Sequence, residues 1–158
     1  FLLAGDGYER DQLSHLAEKY GILNQTLFLI DYLPKDQIPM LLSVATIATS
    51  FFIDLPEMEN NSANKFFDAL SAGKPIMINY GGWQADLLRE TKAGLVVPAG
   101  DPKTAAIQLN TLISDQVAIK KMCAASKNLA SRFDVEKSFN LFAKSIDNAC
   151  NIYRSNVL

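Results

Sequence analysis

Short apolar runs without polar alternation recur along this chain, each followed by an amphipathic stretch, and that alternation restricts the fold more than any other feature. Strands are expected near residues 1–4, 27–30, 45–49, 75–79 and 94–97, rich in Leu, Ile, Val and Phe. Such runs suit a parallel sheet covered on both faces. Helices are expected near 9–20, 35–43, 63–72 and 83–91. Right-handed crossovers between these strands predict an α/β fold built on an open, doubly wound parallel sheet, Rossmann-like, whose ligands bind beyond the carboxyl ends of the strands. Gly5-Asp6-Gly7, the 50–62 loop and Gly81-Gly82 all follow strand ends, so candidate residues are expected on one edge. Beyond residue 100 the chain reads as C-terminal helices. Pro102 stands at a helix start, with an apolar stripe of Ala105, Ala106, Leu109, Leu112 and Ile113. Asp134 is placed to cap a last helix whose Val135, Phe139, Phe142, Ala143, Ile146, Ala149 and Tyr153 form a long apolar face, expected to be mostly core.

Composition narrows the function classes. With 158 residues, 49% hydrophobic and 20% charged, the chain has enough apolar material for one domain with a real core. A net charge of −2 gives no electrostatic reason to expect a nucleic acid partner. The uncharged run from Gln37 to Ile53 contains Pro39, Ser43, Thr46, Thr49 and Ser50, and reads as a helix followed by a buried strand. A membrane-spanning helix needs about 20 predominantly apolar residues. Cys123 and Cys150 lie on expected helices without a CxxC or a nearby histidine, and read as buried free thiols. The single histidine, His15, falls on the polar side of a helix whose apolar stripe is Leu13, Leu16, Ala17 and Tyr20, so it reads as a solvated surface residue. No metal site is expected.

The chemistry concentrates between Asn60 and Gly82, where a polar loop, a short helix, a buried strand and a diglycine turn follow one another. Ser62 is a good residue type for a helix N-cap, and the first-turn N–H groups at the positive end of the helix dipole suit a phosphate. Lys65 adds a full charge there. Asp68 follows Asn64 by four residues and Lys65 by three, so the three share a face, and its carboxylate is placed to accept hydrogen bonds from two ribose hydroxyls. The same spacing is equally compatible with an i,i+3 surface ion pair, and Gly73-Lys74-Pro75 with a plain helix stop. Gly5-Asp6-Gly7 is not a dinucleotide fingerprint, because Arg10 stands at the third glycine position. It reads first as a tight turn. Trp83, the only tryptophan, reads as a packing residue at a helix start or as a shield for the site.

The stretch Phe67-Asp68-Ala69-Leu70-Ser71-Ala72-Gly73-Lys74-Pro75-Ile76 resembles the acid-Ala-Met-Ala-x-Gly-x-Pro-Val signature of the family four, retaining, GT-B glycosyltransferases, and Gly81-Gly82 falls where that family has a Gly-Gly turn. The resemblance runs along almost the whole chain. Leu2-Leu3-Ala4-Gly5-Asp6-Gly7 is similar to the family's strand ending in Gly-x-Gly, Leu27 to Leu42 with Tyr32-Leu33-Pro34 to its strand, loop and short helix, and Ala93 to Pro98 with Asp101-Pro102 to its last strand and turn. The resemblance implies a donor-binding C-terminal domain over 1–158 that lacks its first strand-helix unit, the basic pair carried there and the N-terminal acceptor domain. Such a piece is expected to be inactive alone.

The resemblance also implies roles. Asp68 matches the family's ribose-binding acid, and Asn60 stands where its first, sugar-contacting acid is found, with Glu59 and Glu57 close by. Asn60 and Lys65 are thus the implied catalytic residues. Gly5, Gly7, Glu59, Asn61, Ser62, Ala63, Asn64 and Asp68 are the implied donor-binding residues. Asn64-Lys65-Phe66-Phe67-Asp68 resembles a branch that handles nucleotide-linked amino sugars. The implied reaction is transfer of a sugar from a nucleotide-sugar, of UDP type and without cofactor or metal, to a saccharide or lipid-linked acceptor in bacterial surface polysaccharide assembly. The implied location is the cytoplasm, with peripheral membrane association of the full-length protein. Two other classes stay open: a sugar-nucleotide epimerase of GT-B build, and a non-catalytic nucleotide-binding module.

Overall fold

The computed structural model describes residues 1–157, so the last residue of the expected 1–158 domain lies outside the described residues. The chain forms two compact units, Phe1–Leu41 and Leu42–Leu158. In the first, strand β1 (Leu2–Ala4) leads through helix α1 (Arg10–Lys19) to strand β2 (Phe28–Ile30), and the two strands pair in parallel with Leu3 opposite Leu29. The Arg10 guanidinium donates to the carbonyls of Gly5 (2.6 Å) and Ile30 (3.0 Å) and pairs with Asp31 (2.9 Å), so one side chain ties both strand ends together. The apolar stripe of α1 faces inward only in part. Ala17 is buried, whereas Leu13 and Leu16 stay exposed. His15 is exposed, as its place on the polar side predicts.

A 3-10 turn at Lys35–Gln37 leads into helix α2 (Ile38–Val44). The second unit is built on a parallel sheet in the order β3 (Ala48–Ser50), β4 (Ile76–Ile78), β5 (Gly94–Val96). The central strand is buried at every residue, as an apolar run without alternation requires. Helix α3 (Asn64–Ser71) connects β3 to β4 and buries Phe66, Ala69 and Leu70, the i, i+3, i+4 spacing of one helix face. Burying a side chain of the Phe or Leu class contributes about 1.5–3 kcal/mol. Gly73 and Lys74 close the helix by donating to the carbonyls of Leu70 and Ala69, both at 2.9 Å, a Schellman stop that leads directly into β4. The Lys74 ammonium reaches the Ser43 carbonyl near the end of α2.

Helix α4 (Gly82–Thr91) buries Gln84, Ala85 and Leu88. Helices α5 (Pro102–Ser114) and α6 (Gln116–Ala130) follow β5, and α7 (Val135–Val157) ends the described chain. Asp101 caps α5 through the Thr104 N–H, with Pro102 in the first turn as expected. Hydrogen bonding from the Thr104 side chain, and then from its backbone N–H, holds the Asp101 carboxyl below its ordinary range. Asp115 divides α5 from α6 by accepting from the N–H groups of Val117 and Ala118, a boundary the apolar stripe alone does not mark. Asp134 caps α7 through Lys137 N–H at 3.0 Å, as expected.

The parallel α/β class holds, while three sequence expectations need correction. The strands hydrogen-bond as a two-stranded and a three-stranded sheet rather than as one sheet. The apolar face of α7 is not core: Phe139 is 67% and Phe142 65% exposed, and Val135, Ile146 and Tyr153 are exposed with them. Periodicity reports that a helix has an apolar side, not what covers it. Cys150 lies on α7 and is exposed for the same reason, whereas Cys123 on α6 is partly buried; both are free. Among the described residues no helix is long and apolar enough to cross a membrane.

Candidate functional site

The candidate residues of the second unit lie on the segment between β3 and the first turns of α3. The loop after β3 coils into a 3-10 turn at Pro56–Asn60, then extends through Asn61 and Ala63 before α3 begins at Asn64. Ser62 is not the N-cap. Ala63 occupies that position in extended conformation (φ −67°, ψ 121°), and no side chain caps the helix. The reason lies in the core: Ala63 and Phe66 are both buried, which sets the helical register and leaves the exposed Ser62 one residue too early. The consequence suits the expected ligand. With no capping side chain, the N–H groups of Asn64 and Lys65 stand open at the positive end of the dipole, while the Phe66 N–H donates to the Ala63 carbonyl at 3.0 Å.

Lys65 is exposed, and its ammonium stands 6.0 Å from the centre of the Phe52 ring. Asp68 is partly buried one turn further on. The i,i+3 ion pair between them does not form: the ion pairs among the described residues join Arg10 to Asp31, Arg89 to Asp86 and Arg132 to Glu90. Asp68 therefore keeps its carboxylate oxygens available for a ligand. Asn60 and Asn64 are exposed, and Asn61 is partly buried.

The loop is held from the far side by the diglycine turn. Gly82 has φ +79°, and a Cβ there would stand 1.9 Å from the Glu59 carbonyl oxygen. A Cβ at Gly81 would meet the Glu59 carboxylate at 2.9 Å. Gly82 is thus required by the close approach of the loop backbone, whereas at Gly81 only the flexible Glu59 side chain would have to move. The Trp83 indole N–H donates to the Asn61 carbonyl at 3.1 Å. Its ring packs with Phe66, Phe67 and Phe133 at centroid distances of 6.1, 6.1 and 6.2 Å. Packing is therefore the correct reading of Trp83, with a loop contact that no local sequence signal announces, because the partners are 22 residues apart. Asn79, at the end of β4, both donates to and accepts from the Phe52 backbone at 2.8 Å and so joins the exits of β3 and β4. Beneath it, the buried Tyr80 hydroxyl donates to Gln84 at 2.8 Å, and burial raises the phenol pKa above its ordinary 10.0.

An open cleft of about 460 Å³ lies among the strand exits of this unit, lined by Asp54, Glu59, Asn79, Gly81, Arg89 and Pro98. Glu59 faces it, and Asn60 is not among its lining residues. In the first unit, Gly5 and Gly7 line an open cavity of about 570 Å³ together with Leu3, Tyr8, Arg10 and Leu29. Gly5 takes φ +142°, the tight-turn role its position suggests.

The family model for glycosyl transferases group 1 matches residues 1–132. No curated protein matches. Solved structures do: Anabaena Alr3699/HepE in complex with UDP superposes with a TM-score of 0.78 at 21% identity, over 93% of this chain and 40% of that one. The same protein in complex with UDP-glucose gives 0.75 at 20% identity, and with UDP and glucose 0.73 at 19%, with the same coverage. At these identities the likeness concerns the fold, and the chain spans about two fifths of that protein's length. With the family model covering both units up to the end of α6, the chain belongs to the glycosyl transferases group 1 family.

Proposed function

We propose that the chain is the donor-binding domain of a retaining, family four glycosyltransferase that transfers a sugar from a UDP-linked donor to a saccharide or lipid-linked acceptor in cell-surface polysaccharide assembly. The observation that carries this reading is the uncapped start of α3, with an unpaired Lys65 beside it and an unpaired Asp68 one turn on, in a chain of this family. The crystallisation of the structurally similar HepE with UDP and UDP-glucose supports the choice of base.

In the reaction, the bond from the sugar C1 to the diphosphate oxygen breaks and a bond from C1 to an acceptor hydroxyl oxygen forms on the same face. The hydroxyl proton is released. Negative charge grows on the departing diphosphate, and the open N–H groups of α3 with Lys65 stabilise it, so no metal is assigned a role. Asp68 binds the ribose hydroxyls, and Asn60 or Glu59 orients the sugar. The amide at position 60 and the Asn64-Lys65-Phe66-Phe67-Asp68 run favour an N-acetylated amino sugar over a plain hexose.

Turnover of labelled UDP-sugars by the full-length protein tests the proposal. Transfer of label to an acceptor with retention at C1 is the expected result. Release of an epimerised donor would assign an epimerase instead, and nucleotide binding without turnover a binding module.

A further inference from the structure

Resting on the donor-site reading above, we infer that Trp83 is a positioning residue that holds the donor loop in register through its indole N–H. The loop packs against the diglycine turn on one side of Asn60 and is hydrogen-bonded on the other. On one side the Glu59 carbonyl sits where a Cβ at Gly82 would stand, at 1.9 Å, and on the other the Asn61 carbonyl accepts from Trp83 Nε1 at 3.1 Å. Asn60 between them is exposed. The indole is braced on its inner side by Phe66, Phe67 and Phe133, of which Phe66 is fully buried. A hydrogen bond from a fixed ring to a loop carbonyl converts core rigidity into loop register, and so into the placing of Asn60 and of the open N–H groups that begin α3. At 37% exposure Trp83 packs on one side and borders solvent on the other.

The test replaces Trp83 by Phe in the full chain, which keeps an aromatic ring and deletes the donor, and reads two quantities. Without ligand, amide hydrogen exchange at Glu59–Ser62 is expected to speed up while the amides of Ile76–Ile78 stay unchanged. By calorimetry, UDP is expected to bind about 3- to 10-fold more weakly, the effect of one lost hydrogen bond. Unchanged loop exchange with unchanged UDP affinity would overturn the inference, and so would uniformly faster exchange through the domain, which marks a merely structural tryptophan. If the wild-type chain binds no UDP, the donor reading fails, and the ligand-free exchange still decides the positioning claim. Should Trp83→Phe not fold, benzothienylalanine incorporated at position 83 keeps the bicyclic ring without the N–H, and the same two readouts apply.

Discussion

Asp68 is the residue on which the ribose role stands. It is partly buried, carries no ion pair and sits one turn beyond the open helix start. Replacing it with Ala is expected to weaken UDP binding by about 10-fold or more, the scale of a hydrogen bond to a charged group, with Tm nearly unchanged. Calorimetry paired with thermal melting checks both halves. Tyr80 supplies a pH prediction. Burial raises its pKa above 10.0, so the folded state holds the phenolic proton more tightly than the unfolded chain. The stability this represents is present below pH 10.0 and is lost as pH rises through the raised value. Tyr80→Phe is therefore expected to flatten the alkaline limb of a Tm-against-pH series, at the cost of the bond to Gln84. At this scale the sequence was legible wherever a role depends on residue type at a fixed local spacing. Asp134 caps as read, and His15 is exposed as read. Ser62 does not cap, because burial of Ala63 and Phe66 decides where α3 begins, and the Trp83 tie to Asn61 depends on tertiary contact.

The element that most constrains the site is the turn from β4 into α4. Gly82 combines a left-handed φ of +79° with a loop carbonyl in the place of a Cβ. Gly82→Ala is expected to cost at least about 1 kcal/mol, roughly 2–4 °C in Tm per kcal/mol, and to displace the Pro56–Asn60 turn. A melt of Gly81→Ala beside it separates the two glycines, since Gly81 meets only a flexible carboxylate and has a negative φ of −82°. Strands and helices were legible to within a few residues because apolar runs and amphipathic periods are local. β3 illustrates the residual error: the run suggests 45–49, but pairing with Ile76–Ile78 selects Ala48–Ser50. The apolar face of α7 is exposed although its pattern suggests core, because a stripe on a helix carries no record of its partner.

For the molecule as a whole, burial is unequal between the two units. Ala17 is the only buried hydrophobic residue among those described in Phe1–Leu41, whereas Leu42–Leu158 holds Phe66, Leu70, Ile76, Ile78, Leu88 and Leu129. Native-state hydrogen exchange is expected to show Leu29 and Ile30 opening at lower free energy than Ile76–Ile78. Equal protection in the two sheets would contradict that ordering. The parallel α/β class was legible from the order of apolar runs, while the division of the strands into two sheets was not, since sequence order does not state which edges pair. The central claim is that the segment from Pro56 through α3 belongs to a nucleotide-sugar donor site. Saturation-transfer NMR of the full-length protein with UDP, GDP, ADP and CMP tests it most directly. Transfer to UDP alone, lost in Asp68→Ala, is the expected result; silence from all four nucleotides with a folded protein would contradict a donor site here.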